Sequence, residues 1–199
     1  LIAGAKRPLF YTGGGLINSG PEACNRLREL VKMTGYPITN TLMGLGAYPA
    51  TDDQFIGMLG MHGTYEANHA MHDCDVMICL GARFDDRITG RLDAFSPDSK
   101  KIHVDVDRSS INKNIHVEIG IVGDVGQVLG QILEYWTAKN YSPNHEALSE
   151  WWTIIQRWRS RDCLSYNQGK EVILPQHAVK CLYELTKGRD TYITTEVGQ

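Results

Sequence analysis

Residues 8–15, PLFYTGGG, join a short apolar run to three consecutive glycines. Residues 75–80, DVMICL, form a second apolar run that ends at Gly81, and its composition is typical of a strand buried on both faces. Between the two runs, residues 21–34 carry apolar side chains at helical spacing, with Ser19 as the expected N-cap and Gly35 as the expected end of that helix. Buried strands that alternate with helices and glycine turns are the parts of βαβ units, so these stretches predict strands of a parallel sheet.

Three further strands and two further helices extend the same alternation along the chain. The strands are expected at residues 37–42, 101–106 and 119–122, and the helices at residues 64–72 and 125–136. Parallel strands need crossover connections, which are right-handed, and several such connections place helices on both faces of the sheet. The predicted fold class is therefore α/β, with a doubly wound, Rossmann-like parallel sheet.

The chain changes character after residue 139. Residues 140–149, NYSPNHEALS, are polar and predict a linker. In the Trp-rich stretch that follows, one face of a helix would carry four apolar side chains, those of Trp151, Ile154, Ile155 and Trp158. We expect this helix to pack against the main domain rather than to stack on a ligand.

Beyond the Trp-rich helix, residues 176–186 predict another helix and residues 191–195 a strand. The sequence thus predicts three parts: a central domain in residues 1–139, a linker containing the Trp-rich helix in residues 140–170, and the start of a second α/β domain in residues 171–199. Because the last residues run from a predicted strand into a turn, we expect the chain to be a piece of a longer protein.

The composition disfavours several classes of protein. The chain has 199 residues, with 20 Lys and Arg against 23 Asp and Glu and a net charge of −3, whereas a nucleic-acid binder normally carries a basic excess. No apolar run approaches the roughly 20 residues of a membrane span. The five cysteines form no C-x-x-C pair, so a zinc site is disfavoured and reduced, buried thiols are expected. We predict a cytoplasmic protein without nucleic-acid or membrane partners.

Glycines and charged residues follow most of the predicted strands. In an open parallel sheet, ligands bind beyond the carboxyl ends of the strands. The segments expected at that edge are Gly13–Gly15, Thr41–Gly44, Gly81–Arg87, Asp105–Asp107 and Gly123–Val125. Glycines let backbone N–H groups approach a phosphate or a flat ring, and Arg83 and Arg87 add charged donors. This combination favours a large nucleotide ligand over an empty scaffold.

The usual nucleotide motifs are incomplete. Gly13 and Gly15 begin a G-x-G-x-x-G pattern, but Asn18 occupies its third glycine position. The sequence also lacks a G-x-x-x-x-G-K-S/T loop, which disfavours a nucleoside triphosphatase. From spacing alone, Asp105 is as consistent with a solvated strand end as with a contact to a ribose hydroxyl.

Metal and nucleophile chemistry have weak support. His69, His72 and Asp73 have the spacing of a helical metal pair, but the sequence offers no third ligand in a supporting position. There is no G-x-S-x-G elbow, and no Ser or Cys stands in the context of a catalytic triad. We predict no metal site and no catalytic residue within these 199 residues.

Five short motifs stand at the strand ends and in the loops. They are KRP (6–8), TGGG (12–15), TLMG (41–44), LGMHG (59–63) and RFDDR (83–87). These motifs resemble those of the acetolactate synthase family, also called acetohydroxyacid synthase, in its thiamine-diphosphate-dependent large catalytic subunit. The longer string RFDDR-x-T-G is highly specific to that family. The resemblance covers about residues 1–138 and then the linker, and residues 194–199 resemble the opening of the family's pyrophosphate-binding domain.

The family's central domain binds FAD, so the resemblance implies FAD contacts in residues 1–139. In this family the flavin is thought to be structural and not an electron carrier in the main reaction. Carried over by motif, the FAD contacts are Gly13, Gly14, Gly15, Thr41, Leu42, Met43, Gly60, Met61, His62, Gly81, Arg83, Asp85, Arg87, Ile88, Asp105, Val106, Gly123, Asp124 and Val125. One departure is Ser110, where the family often has an acid, and it puts one adenosine-side hydrogen bond in doubt.

The resemblance also implies contacts to the substrate and to thiamine diphosphate. Arg87 resembles an arginine proposed to meet the carboxylate of the second 2-ketoacid, and Met61 and Asp86 are implied near the same channel. The turn of Val197, Gly198 and Gln199 resembles the turn that approaches the phosphates of thiamine diphosphate.

The resemblance further implies the chemistry of a longer parent enzyme. That enzyme would condense two pyruvates, or pyruvate and 2-oxobutyrate, to 2-acetolactate or 2-aceto-2-hydroxybutyrate, with release of CO2, in isoleucine and valine biosynthesis. It would need thiamine diphosphate and Mg²⁺. The activating glutamate and the Gly-Asp-Gly magnesium motif are implied to lie outside these 199 residues, so we expect the chain to be inactive alone. A homodimer or homotetramer is implied, and a regulatory small subunit stays open.

Two other functions are compatible with the same residues. The first is the central domain of another thiamine-diphosphate enzyme, such as glyoxylate carboligase or pyruvate oxidase, although the RFDDR string argues against it. The second is a structural nucleotide-binding domain that only spaces catalytic domains.

Overall fold

A six-stranded, wholly parallel sheet forms the centre of the protein in a computed structural model that describes residues 1–194. The strands are β1 (Pro8–Thr12), β2 (Ile38–Asn40), β3 (Phe55–Met58), β4 (Val76–Leu80), β5 (Lys100–Asp105) and β6 (Ile119–Val122). The helices are α1 (Gly14–Asn18), α2 (Pro21–Thr34), α3 (Tyr65–Asp73), α4 (Asp86–Thr89), α5 (Val125–Ala138), α6 (His145–Arg159) and α7 (Pro175–Thr186).

The strand order across the sheet is β3-β2-β1-β4-β5-β6. The chain therefore starts in the middle of the sheet, adds β2 and β3 on one side, and then returns to add β4, β5 and β6 on the other. The order reverses between β1 and β4, which makes the carboxyl ends of these two strands the topological switch point. The predicted doubly wound parallel fold is confirmed.

The two central strands are buried along their whole length. Every residue of β1 and of β4 is buried, and the two strands pair in register from Pro8 with Val76 to Thr12 with Leu80. On the other side of β1, Thr12 pairs with Asn40 at the end of β2. These strands consequently end at the same level, and the loops that follow them start from one edge of the sheet.

Helix α2 has the bounds that the sequence predicts, with Pro21 in its first turn and Gly35 ending it in the left-handed conformation at φ 72. Its capping differs from what Ser19 suggests, because Gly20 occupies the N-cap position and makes no side-chain cap. The Ser19 hydroxyl instead donates to the Asp124 carboxylate at 2.5 Å. Ser19 therefore links the start of α2 to the start of α5.

Strand β3 is the strand that the sequence analysis missed. It has only four residues, lies at an edge of the sheet, and contains Gly57 with φ +95. A Cβ at Gly57 would lie 2.4 Å from Cγ2 of Thr64, the N-cap residue of α3. Strand β3 therefore needs glycine at the position where it passes Thr64. A short edge strand interrupted by glycine has neither the apolar run nor the alternation that identifies a strand in a sequence.

The Trp-rich helix belongs to the larger of two compact units, Leu1–Cys163, and begins earlier than its tryptophans suggest. Asn144 caps α6, because its Oδ1 accepts from Ala147 N at 3.1 Å, so residues 145–149 are helix and not linker. Trp151 is buried and its Nε1 donates to Pro8 O at 3.0 Å. The helix thus packs against the start of β1, as expected, while the domain boundaries at residues 139 and 170 stay predictions.

The smaller unit, Leu164–Gln199, contains α7. Gln168 fixes the entry to this helix, since its side chain accepts from Leu174 N at 3.0 Å. Residues 191–194, where a strand was expected, have no regular secondary structure. The predicted thiamine diphosphate contacts Val197, Gly198 and Gln199 lie outside the described residues. Within residues 1–194, no helix has both the length and the apolarity that crossing a membrane requires.

Candidate functional site

A cavity of about 520 Å³ lies at the switch point of the sheet, within the usual size range of small-molecule and cofactor sites. Its walls come from the loops that follow β1, β2, β4 and β5. The residues that line it are Tyr11, Gly13, Gly14, Gly15, Asn18, Thr41, Leu42, Met43, Gly81, Ala82, Arg83, Asp85, Asp86, Arg87, Ile88, Asp105 and Val106.

A second cavity, of about 250 Å³, adjoins the first. It is lined by Gly15, Asn18, Ser19, Gly81, Asp105, Val106, Asp124 and Val125. Five of these residues also line the larger cavity, and the new ones are Ser19 after α1, Asp124 after β6 and Val125 at the start of α5. The two cavities therefore form one elongated depression, which we call the switch-point groove.

The glycines of the groove serve backbone packing as much as ligand access. A Cβ at Gly13 would lie 2.3 Å from Gly81 O, and a Cβ at Gly15 would lie 2.7 Å from Gly81 Cα. The loops after β1 and β4 can approach this closely only without side chains at these positions. The N–H groups of Gly13 and Gly15 donate at 3.0 Å to Leu80 O and Gly81 O, whereas Gly14 N–H has no acceptor within the described part of the chain.

The loop after β4 carries the charges of the groove. Arg83 and Arg87 are exposed, and Arg83 Nη2 donates to Asp85 Oδ2 at 2.8 Å. Between them, Phe84 has φ 54, which is unusual for a large side chain and costs free energy. Its ring is buried, and Asn114 Nδ2 donates to its carbonyl oxygen at 3.0 Å. The buried Phe84 thus holds a strained turn that directs the two arginines outward.

His103 supports this loop from the interior. Its Nε2 lies 2.8 Å from Ala82 O, which fixes Nε2 as the protonated nitrogen of the neutral ring. Burial lowers the pKa of His103, although the bond to Ala82 O and the charge of Asp105 both act in the opposite direction. His103 is therefore a neutral donor at pH 7, and it fixes the residue just before Arg83.

Two aspartates lie towards the other end of the groove. Asp105 is nearly buried and its Oδ1 accepts from Asp107 N at 2.8 Å. Asp124 caps α5 through Gln127 N at 2.9 Å, and the hydrogen bond from Ser19 is the largest of the causes that lower its pKa. Both oxygens of Asp124 are thus used inside the protein, and the two aspartates make this end acidic.

Aliphatic side chains stand exposed along the rim. Leu42, Met43 and Val106 have exposed fractions of 62%, 74% and 75%. Large apolar side chains exposed around a concave site are typical of a ligand-binding surface. Apolar faces, an acidic end, charged donors and a free N–H at the switch point together match the parts of an adenine–flavin dinucleotide, so the residues present fit FAD.

Most of the residues implied as FAD contacts line the groove. They are Gly13, Gly14, Gly15, Thr41, Leu42, Met43, Gly81, Arg83, Asp85, Arg87, Ile88, Asp105, Val106, Asp124 and Val125. Of the residues implied near the substrate channel, Asp86 and Arg87 line the larger cavity and Met61 does not.

Four implied FAD contacts lie off the groove walls. They are Gly60, Met61, His62 and Gly123. Gly60 still lies close, because a Cβ there would be 2.7 Å from Ile88 Cδ1, and Asn68 holds Gly60 through hydrogen bonds to both its N–H and its carbonyl. Gly123 N donates to Asp105 O at 3.0 Å and so continues the pairing of β5 with β6.

The structure adds groove residues that the sequence analysis did not assign. Tyr11, Asn18 and Ala82 line the larger cavity, and Ser19 lines the smaller one. Asn18 had a signal, since it breaks the glycine pattern at a position where a side chain reaches the ligand site. Tyr11 had none, because a tyrosine in an apolar strand is indistinguishable from core in a sequence. Within residues 1–194, no cluster of three or more His, Cys, Asp and Glu is arranged to hold a metal ion.

The cysteines differ in part from the expected buried thiols. Cys24, Cys74 and Cys79 are buried, whereas Cys163 and Cys181 are exposed, and all five are free.

Comparison with known proteins relates the chain to thiamine-dependent enzymes. Residues 1–132 match the family model described as thiamine pyrophosphate enzyme, central domain. The chain is 45% identical over 198 residues to acetolactate synthase isozyme 3 large subunit of Escherichia coli (strain K12). It is 44% identical over 195 residues to acetolactate synthase large subunit of Haemophilus influenzae (strain ATCC 51907 / DSM 11121 / KW20 / Rd), and 40% identical over 201 residues to acetolactate synthase of Mycobacterium leprae (strain TN).

These alignments cover nearly all of this chain but a small part of each relative. They include 100%, 98% and 100% of the chain, and 34%, 33% and 31% of the three relatives. The chain therefore spans about a third of the length of the curated relatives that it matches.

Proposed function

Because the chain belongs to the thiamine pyrophosphate enzyme central-domain family, we propose that its switch-point groove binds FAD within an acetolactate synthase large catalytic subunit. The observation that carries the proposal is the convergence of the loops after β1, β2, β4, β5 and β6 on one elongated groove. The RFDDR string and the relatives named acetolactate synthase support this enzyme over others of the family.

Chemistry suggests which part of FAD each region of the groove would hold. Asp105 suits the ribose hydroxyls, because a carboxylate accepts from two neighbouring O–H groups and repels phosphate. Gly14 N–H and the guanidinium of Arg83 suit the pyrophosphate. The exposed side chains of Met43 and Val106 suit the flat faces of the rings.

In the intact enzyme, we propose the condensation of two pyruvates, or of pyruvate and 2-oxobutyrate, with loss of CO2. Thiamine diphosphate, held with Mg²⁺, would supply the carbanion chemistry. From this chain, exposed Arg87 would orient the carboxylate of the second 2-ketoacid, since a guanidinium pairs with a carboxylate in bidentate geometry, and Asp86 and Met61 would border its path. Val197, Gly198 and Gln199 would approach the phosphates of thiamine diphosphate.

We also propose that the intact enzyme is a cytoplasmic homodimer or homotetramer. The relatives from Escherichia coli and Haemophilus influenzae are named as large subunits, which supports a regulatory small subunit as a further partner. The five free cysteines are consistent with a reducing compartment.

Titration of FAD into the 199-residue chain, followed by flavin fluorescence or calorimetry, tests the proposed site. We expect saturable binding, and we expect Asp105→Asn to weaken it by roughly three- to tenfold, since one hydrogen bond contributes about 0.5–1.5 kcal/mol. The matched control is Asp98→Asn, an exposed aspartate outside the groove, which should bind FAD like the unchanged chain.

The outcomes separate the candidate functions. Absence of saturable FAD binding would favour a domain that only spaces catalytic domains. Saturable binding, combined with formation of glyoxylate-derived or oxidised products by the intact enzyme instead of acetolactate, would favour glyoxylate carboligase or pyruvate oxidase.

A further inference from the structure

Tyr11 is one of the groove residues that are not among the proposed FAD contacts. It is the fourth residue of β1 and has an exposed fraction of 1%. Nevertheless Tyr11 lines the larger cavity together with Gly13 and Asp85, and its hydroxyl is close enough to Asp85 for that carboxylate to help raise the pKa of Tyr11.

The Tyr11 hydroxyl has no hydrogen-bond partner among residues 1–194. The hydroxyl oxygen is also not one of the fully buried polar atoms without a partner, which are Asn40 Nδ2, the Tyr48 hydroxyl and His103 Nδ1. The side chain is thus buried while its hydroxyl oxygen stays accessible. Tyr36 shows the ordinary case, since it is equally buried and its hydroxyl donates to Ile2 O at 2.8 Å. The Tyr11 hydroxyl is therefore free to donate to a ligand without breaking a hydrogen bond inside the described chain.

The Tyr11 ring is held in place by other aromatic rings. Phe84 packs edge-on against it, with ring centroids 5.5 Å apart and an interplanar angle of 62°. Phe84 in turn contacts Phe95 and His103 through centroid distances of 5.8 Å and 5.0 Å. A donor fixed by rigid neighbours loses little conformational entropy when a ligand arrives, which increases its contribution to affinity.

On the premise of the proposed FAD site, we infer that the Tyr11 hydroxyl donates a hydrogen bond to an acceptor oxygen of the bound ligand. The acceptor is a pyrophosphate oxygen or a carbonyl oxygen of the flavin ring, and both share the chemistry of an electron-rich oxygen. Burial, together with the neighbouring Cys79 and Asp85, raises the pKa of Tyr11 well above its ordinary value, so the hydroxyl keeps its proton throughout the neutral range.

Two tyrosine-to-phenylalanine variants of the 199-residue chain test this inference. Tyr11→Phe should weaken FAD binding by about three- to tenfold and leave the urea midpoint of the ligand-free protein unchanged or slightly raised, since no internal bond is lost. Tyr36→Phe is the matched control and should do the reverse, lowering the urea midpoint with no change in FAD affinity.

Riboflavin and ADP identify the acceptor. If the acceptor belongs to the flavin ring, Tyr11→Phe should weaken the binding of riboflavin and leave that of ADP unchanged. If the acceptor belongs to the pyrophosphate, the variant should weaken only the binding of ADP.

Three results would overturn the inference, and they differ from one another. Equal FAD affinity of Tyr11→Phe and the unchanged chain refutes the role of Tyr11 but keeps the FAD site. A urea midpoint that falls as far as that of Tyr36→Phe shows that the hydroxyl is used inside the protein. No FAD binding by the unchanged chain refutes the proposed function, and the role of Tyr11 with it.

Discussion

His103 joins the interior of the sheet to the charged loop of the groove. Its bond to Ala82 O at 2.8 Å requires the neutral ring to carry its proton on Nε2, and its Nδ1 has no partner in the described residues. A second proton would have to be placed on Nδ1 in a buried environment, which explains the direction of its pKa shift.

The lowered pKa of His103 predicts a pH-dependent stability. Above the unfolded value near 6.5, folded and unfolded His103 are both neutral and contribute no pH dependence. Below it, the unfolded state takes up a proton that the folded state resists, so stability falls as pH decreases towards the folded pKa. The urea midpoint should be lower at pH 5.5 than at pH 7.5. The free energy of unfolding should fall with decreasing pH by at most about 1.4 kcal/mol per pH unit for this one group.

Two variants isolate this effect. His103→Gln should reduce the slope between pH 7.5 and 5.5, and His116→Gln, at an exposed histidine, should leave it unchanged. Asp52, Asp107 and Asp124 do not interfere, because their lowered pKa values make their own contributions disappear only at more acidic pH. Equal slopes in His103→Gln and the unchanged chain would refute the assignment.

For single residues, the sequence predicts a role well when the residue type serves few structural purposes. Glycines after strands and paired arginines predicted most of the groove, since few other arrangements need them. The roles of Tyr11 and Phe84 could not be predicted. The role of Tyr11 depends on a hydroxyl without a protein partner, and that of Phe84 on a backbone φ of 54, and neither feature leaves a pattern in the sequence.

Helix α6 shows how one element can join a domain although its sequence begins like a linker. Its buried face carries Leu148, Trp151 and Ile155, and the Trp151 Nε1–H group satisfies Pro8 O. The polar residues before Trp151 form the exposed first turns of an amphipathic helix, which in a sequence cannot be distinguished from a linker until the cap at Asn144 is recognised.

We expect Trp151→Ala to destabilise the protein by about 3–5 kcal/mol, because it leaves a large cavity and an unpaired carbonyl group. Glu150→Ala, one residue away on the exposed side, should change stability by less than about 0.5 kcal/mol. Urea unfolding followed by far-UV circular dichroism measures both. Similar values for the two variants would mean that α6 does not belong to the cooperative core.

For the whole molecule, the buried hydrophobic core is contained in the larger unit. Its members range from Ala5 to Ile155, and α7 has no buried residue. The doubly wound parallel class followed from the alternation of strands and helices, because parallel strands need right-handed crossovers. The order of the strands was not predicted from the sequence. The edge strand β3 did not follow, since an edge position tolerates a short strand with glycine.

The confinement of the core predicts that residues 164–199 can be removed without loss of folding. A chain of residues 1–163 should keep the urea midpoint and the FAD affinity of the full 199 residues. A chain of residues 1–144 is the control, and it should unfold at much lower urea because it lacks α6. A large loss of stability in the 1–163 chain would contradict the division into units.

The central position of β1 also determines when the sheet can be completed on the ribosome. Val76 is the pairing partner of Pro8, so one side of β1 stays without its neighbour until the chain is synthesised beyond β4. During that interval β1, β2 and β3 can form only a half-sheet whose apolar inner strand is an open edge, a state that is prone to aggregate. We therefore expect nascent chains to recruit chaperones when β1, β2 and β3 have left the ribosomal tunnel but β4 has not, and to release them once β4 has emerged.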